Sequence, residues 1–160
     1  MYQWGRAADG HQCRNSATTI TLSSTDQPGH GNFIKSNSSL TTSPFADWRS
    51  PQNTNLWQGV NGVNNPCPSG YRLPTETELN AERLSWSSNN ASGAINSTLK
   101  LPLAGNRSQI GGLVSQGTEG YCWSSTIETN ASRRIGFASY GVFMVTNGRS
   151  FGFSVRCIKN

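Results

Sequence analysis

Long apolar runs are missing from this sequence: no stretch approaches the roughly 18 to 20 residues that a helix needs to cross a bilayer. Insertion of the chain into a membrane is therefore not expected. Charge is scarce as well. Only 13% of the 160 residues are charged, about half the usual share of a soluble domain, so polarity comes from Ser, Thr, Asn and Gly, a composition that favours loops and strands. The net charge of +5 is spread over ten Arg and three Lys, and the single adjacent basic pair is Arg133-Arg134. A nucleic-acid footprint needs a basic patch or stripe, so nucleic acid is not an expected partner. The opening MYQWGRAADG has neither a basic n-region nor an apolar h-region. That leaves a cytosolic protein or a secreted domain whose leader lies upstream.

Tight metal-ligand pairs are absent too. No two of the four cysteines stand as CxxC, and only His11, close to Cys13, could join a thiolate as a neighbouring ligand. No metal or other cofactor is expected. The length favours one domain over residues 1–160.

What is present divides into three kinds of text. From Met1 to about Asn65 the chain is turn-rich, as in DQPGHGN, NSSLTTSP and WRSPQNTN, and isolated Trp4, Trp48 and Trp57 are the expected anchors of long loops. The Ser/Thr cluster around Ser36 to Ser43 is flanked by aromatics closely enough that it does not read as a disordered linker. Then CPSGYRLPTETELNAERL changes character. Thr75-Glu76-Thr77-Glu78 fits a capping box, Pro74 blocks extension backwards, and Arg83 lies toward the negative end of the helix dipole. A helix from about Glu76 to about Trp86 is predicted, with Leu79 and Trp86 sharing a face and Leu84 partly off it.

The C-terminal third has a two-residue period. In SFGFSVRC, Phe151, Phe153, Val155 and Cys157 alternate with Ser150, Gly152, Ser154 and Arg156, which predicts a strand with Cys157 on its core side. Asn147-Gly148 between two apolar runs predicts a hairpin that pairs a strand from about Val142 to Thr146 with the last one. GYCWSST and RRIGFASY read as two further strands, the first with Tyr121 and Trp123 on one face and Cys122 on the other.

Four cysteines permit three pairings. Cys67, just ahead of the helix, and Cys157, on the last strand, are separated by most of the domain, and a bridge between them would stabilise by roughly 4 kcal/mol on the chain-entropy account. The competing reading makes Cys157 a small buried hydrophobe.

CPSGYRLPTETEL, GYCWSST and FGFSVRCIK, in that order and with YQWGR and DGHQ near the start, resemble the Fibrobacter succinogenes major paralogous domain of secreted and surface proteins of Bacteroidetes-type bacteria. The resemblance covers nearly the whole chain. It implies an α+β, C-type lectin-like fold, akin to the formylglycine-generating-enzyme and retroelement-diversified branches, and an extracellular or cell-surface location. It also implies the Cys67 to Cys157 pair, and it leaves Cys13 and Cys122 as an extra bridge peculiar to this chain. A further strand is expected ahead of YQWGR. Either an edge strand is missing or the chain begins inside the domain.

Calcium-dependent sugar binding requires a Pro-flanked carboxylate and amide pair and a WND-like strand. Gln27-Pro28 is followed by Gly29, and Trp123 by Ser124-Ser125, so no calcium is expected there. Glu76 and Glu78 are explained by the helix start rather than by glycoside hydrolysis, and His11 and His30 have no partner legible in sequence. The expectation is a non-catalytic binding or adhesion module for a protein or glycan ligand. Its contacts would come from about Ser125 to Arg149, where Asn130, Arg133, Arg134, Tyr140 and Arg149 suit recognition because Tyr and Arg combine contact area with hydrogen bonds. The alternative is an assembly subunit of a surface layer, filament or adhesin, which could self-assemble or accept a partner strand. NxS/T triplets at Asn37, Asn90, Asn96, Asn106 and Asn130 follow from the composition.

Overall fold

The structure is a computed structural model that describes residues 1–36 and 46–160. Most of the Ser/Thr cluster, the NSSLTTSP turn text and Asn37 lie outside the described residues. Among the described residues the architecture is α+β: two helices, a three-stranded antiparallel sheet of long strands, a four-stranded sheet of two-residue strands, and two short strand pairs. In chain order the elements are β1 (Tyr2–Gln3), β2 (Thr18–Thr19), β3 (Phe33–Ile34), β4 (Tyr71–Arg72), α1 (Glu76–Leu84), α2 (Ala91–Asn96), β5 (Asn106–Arg107) and β6 (Leu113–Val114). β7 (Glu119–Glu128), β8 (Ala131–Ala138), β9 (Gly141–Asn147), β10 (Gly152–Phe153) and β11 (Ile158–Lys159) follow.

Helix α1 starts as its sequence requires. The Thr75 hydroxyl accepts from the Glu78 amide, and the Glu78 carboxylate accepts from the Thr75 amide at 2.8 Å. Arg72 adds two bonds to the same carboxylate, at 2.8 and 2.7 Å. The helix stops at Leu84, two residues before Trp86, because Ser85 caps it and Asn90 opens α2 by accepting from the Ser92 and Gly93 amides. Leu79 is buried and Leu84 is exposed. Trp86 packs edge-on against Phe137, 5.9 Å between ring centres.

The disulfide joins Cys67 to Cys157, with Cα atoms 5.8 Å apart and a sequence separation of 90. Beside it β11 pairs antiparallel with β4, Ile158 opposite Arg72. The carboxy-terminal ribbon is thus fastened to the residues that lead into α1 by one covalent and one hydrogen-bonded link.

One expectation for the strands and one for the cysteines need correction. β9 pairs with β8 through a two-residue turn at Ser139-Tyr140, Ala138 opposite Gly141, and not with the last strand. After Asn147 the chain leaves this sheet, and β10 lies between β1 and β5 in another. The reason is Arg149. Its guanidinium lies 4.5 Å over the Trp4 ring, 3.6 Å from Asp47 and 3.1 Å from the Ser132 hydroxyl, so burying it turns the chain inward and brings Phe153 into the core. Likewise, Cys13 and Cys122 are both free. Strand alternation places Cys122 in the cluster of Leu79, Ala94, Ile135 and Phe137, whereas Cys13 is exposed in the amino-terminal loop.

The core has two parts. Trp4, Trp48, Trp57, Trp123, Ile34, Leu56, Leu73 and Phe153 form one, and Leu79, Leu101, Ile135 and Phe137 with Cys122 form the other. Tyr121 and Trp123 face the first and Cys122 the second, as the strand period predicts. Four indole N–H groups each donate to a distant carbonyl: Trp4 to Ser124, Trp48 to Trp4, Trp57 to Arg6 and Trp123 to Tyr2.

YQWGRAADGH forms a buried polar hub. The Gln3 side chain donates to the carbonyls of Ile34 and Ser150 and accepts from Arg6 and from the Ile34 amide. His11 is fully buried: its Nε2 accepts from the Gln3 amide at 3.1 Å and its Nδ1 meets Asp9 at 2.6 Å. Burial, opposed by the Asp9 hydrogen bond, lowers the His11 pKa to about 4. An unfolded ring, near 6.5, takes up a proton first, so this residue makes stability fall as pH drops from 6.5 toward 4. Asp47 acts in the opposite sense. Burial raises its carboxyl to about 6 in spite of Arg149, so folding favours its protonated form and stability rises as pH falls from 6 toward 3.8.

Two predictions result. Cys67→Ser with Cys157→Ser should lower the melting midpoint by roughly 10 °C, from the roughly 4 kcal/mol a long closed loop contributes; an unchanged midpoint in calorimetry would contradict the clamp. In Asp47→Asn the compensation is lost, so the midpoint should drop more steeply than in wild type between pH 6.5 and about 4.5. Parallel profiles would show that Asp47 does not titrate as described.

Candidate functional site

Three strands in register build one face of the β7, β8, β9 sheet. Tyr121, Gly136 and Phe143 form one cross-strand row, and Trp123, Arg134 and Val145 form the next. On the other side of the first row, Glu119 pairs with Ala138. Gly136 has no side chain between two aromatic neighbours, so a slot opens there. Its volume is about 160 Å³, and Glu119, Tyr121, Arg134, Tyr140, Phe143 and Val145 line it. A Cβ on Gly136 would meet an Arg134 nitrogen at 2.1 Å and the Tyr121 ring at 3.1 Å. The glycine therefore both forms the floor and admits the guanidinium.

Each polar group in the slot has a defined state. The Arg134 guanidinium lies 4.6 Å over the Tyr121 ring and 5.1 Å from the Phe153 ring, and its Nε donates to Asn147 Oδ1 at 2.6 Å. Among the described residues it has no ion pair, and its two terminal nitrogens have no hydrogen-bond acceptor. Burial lowers its pKa to about 10, which leaves it charged at neutral pH. Glu119 accepts from the Tyr121 hydroxyl on one oxygen and from the Tyr140 hydroxyl, at 2.9 Å, on the other. The Tyr121 bond leads the causes that hold the Glu119 pKa below its ordinary value, and burial followed by Glu119 raises Tyr121 to about 12. Tyr140 is 73% exposed and Phe143 43%, their ring centres 5.7 Å apart.

Of the residues singled out in sequence, Arg134 and Tyr140 meet in this slot and three do not. Arg149 is 1% exposed and serves the core. Arg133, one residue from Arg134, faces the helix side, where it pairs with Glu76 at 2.5 Å and Glu128 at 2.9 Å. Asn130 lies in the β7 to β8 turn and its carbonyl accepts from Gln52. Sequence reasoning missed Glu119, Tyr121, Gly136, Phe143 and Val145 as site residues. The available signal was Gly136 itself, because glycine inside a strand marks a close approach.

A larger hollow of about 280 Å³ is lined by Ala7, Asp9, Asp26, Gln27, Pro28, Gly29 and His30. Its charges are spent internally: Asp9 on Arg6 and His11, and Asp26 on Arg49 at 2.8 Å. The smaller slot is the better site because it retains donors without acceptors. Both nitrogens of His11 are engaged, which leaves no free ring lone pair for a base. Among the described residues no group of three or more His, Cys, Asp or Glu is placed to hold a metal ion. No helix there is long and apolar enough to cross a membrane.

Comparison of the chain with protein-family models, with curated proteins and with solved structures finds no match in any of the three. The slot is therefore interpreted from its own chemistry.

Cys122 is buried, and burial pushes its thiol up to about 12. A thiol reagent should accordingly modify one cysteine, Cys13, in the native protein and a second only after unfolding. Two equivalents under native conditions, counted by mass spectrometry, would contradict the placement of Cys122.

Proposed function

We propose that this chain is a non-catalytic binding or adhesion module, working outside the cell or on its surface, that takes its ligand in the slot over Gly136. The observation that carries this reading is the coincidence there of a guanidinium whose terminal nitrogens lack acceptors among the described residues with two exposed aromatic rings. Such groups supply contact area and directional hydrogen bonds together. A lectin-like fold is part of the same proposal. It is supported by the β1 and β10 pairing near the two ends of the chain, by α1 packed behind the long strands, and by the motifs noted in sequence. The Cys67 to Cys157 bridge supports the location, since structural disulfides persist in oxidising compartments.

A second reading, an assembly subunit of a surface structure, is favoured by β9. Its seven residues carry no charge, and among the described residues it pairs only on its β8 side, which leaves an edge suited to strand addition. The two readings separate experimentally. Tyr140→Ala should weaken retention on a glycan or protein array roughly tenfold, the scale of an interface hot spot, while the melting midpoint stays unchanged because the residue is exposed. Concentration-dependent polymerisation, together with an array silent for wild type, would favour assembly and reject the slot as the working surface.

A further inference from the structure

The slot has a cation on its floor, a carboxylate at one end and an apolar wall of Tyr140, Phe143 and Val145. The Arg134 side chain starts one row from Gly136 and folds back so that its guanidinium lies over Gly136 and the Tyr121 ring, while Glu119 stands one row to the other side, about 7 Å along the strand direction. Each Glu119 oxygen accepts from one phenol hydroxyl and keeps room for a second donor. The terminal nitrogens of Arg134, by contrast, have no acceptor among the described residues. The charged group whose terminal atoms lack a hydrogen-bonded partner is thus the cation. A half-buried guanidinium that feels the Glu119 charge but makes no direct ion pair favours a ligand that brings a carboxylate to it, because a charge-assisted, two-pronged bond is the strongest it can make. The chain's +5 net charge favours an anion in the same direction.

A small anion alone would leave Phe143 and Tyr140 facing water. A flat aromatic acid would cover them, but it would set an apolar edge against Glu119 and the Tyr140 hydroxyl. A pyranose acid satisfies all three parts. Its carboxylate meets Arg134, one C–H face of its ring lies on the aromatic wall, and the hydroxyls on the far side of the ring reach the Glu119 and Tyr140 end. Extending the binding reading above, on which it rests, we infer that the slot binds a single hexuronic acid unit of an acidic glycan. The volume of about 160 Å³ suits one such ring rather than a buried chain, so neighbouring sugars would run out over the exposed sheet face.

The test titrates the whole chain, isotope-labelled, with methyl glucuronide, methyl glucoside and phenylacetate, following amide and side-chain NMR shifts. The glucuronide should shift resonances of Tyr121, Gly136, Tyr140 and Phe143. The neutral glycoside and the aromatic acid should each bind roughly tenfold more weakly, the scale of one charge-assisted hydrogen bond. Arg134→Gln should remove that preference for the acid over the neutral sugar, and Phe143→Ala should weaken both sugars alike. Because Arg134 also stacks on Tyr121 and Phe153, melting midpoints accompany each variant, and Phe143→Ala provides an independent check at a more exposed position. Equal binding of glucuronide and glucoside would overturn the acidic class while leaving a sugar slot. Preference for phenylacetate would overturn the saccharide class while leaving a ligand slot. No shift with any probe, or shifts that survive both substitutions, would overturn the inference itself; the array measurement above would then decide separately whether the module binds elsewhere.

Discussion

Buried backbone carbonyls must find donors, and in a fold whose strands are mostly two residues long the ladders cannot supply enough of them. The four indoles meet that requirement. Each buries a large apolar ring and carries one N–H, and each delivers it to a carbonyl between 44 and 121 residues away. Apolar burial and backbone satisfaction therefore come from the same side chains. Gln3 does the polar equivalent, joining Ile34, Arg6 and Ser150 through a single amide. Without these cross-links the amino-terminal loops would have neither a core nor partners for their main chain.

The long sheet inherits its position from this arrangement. One side of β8 presents Ile135 and Phe137 to the helices, with Arg133 tied to Glu76 at the start of α1. The opposite side presents Arg134 and Gly136. Because side chains alternate along a strand, two consecutive arginines acquire unrelated roles. One braces the helix, and the other is left in a slot with its terminal nitrogens unspent.

Much of the fold was legible because its signals are local. A capping box needs four consecutive residues, and Thr75 to Glu78 contain it. Tyr121, Cys122 and Trp123 alternate between the two core clusters as a strand period demands. The disulfide was legible as one of the possible pairings because Cys67 and Cys157 each stand beside a recognisable element. The Asn147-Gly148 turn misled for a physical reason: its local preference is genuine, but burial of Arg149 against Trp4 and Asp47 outweighs it, and the two-residue turn at Ser139-Tyr140 forms the hairpin instead. Cys13 and Cys122 misled because an even number of cysteines says nothing about which side of a sheet each one faces. Asn90 was a cap in plain view, yet the helix it opens is only six residues long and has too short a period to register.

The candidate site was half legible. Arg134 and Tyr140 drew attention as residue types, but Arg149 has the same chemistry and lies in the core. Which arginine is spent internally depends on contacts between segments far apart in sequence. By itself the sequence determined the capped helix and the strand alternation, because each depends on neighbours along the chain, and the lack of an apolar run long enough to cross a bilayer, because that is composition; it left the cysteine pairing among alternatives, since a bridge joins distant segments. Only the tertiary structure decided that Gly136 stands between Tyr121 and Phe143, that Glu119 accepts from two tyrosines, and that Arg134, bonded through Nε to Asn147, keeps its two terminal nitrogens without acceptors among the described residues. Cross-strand register is a relation among three strands, and no single stretch of residues contains it.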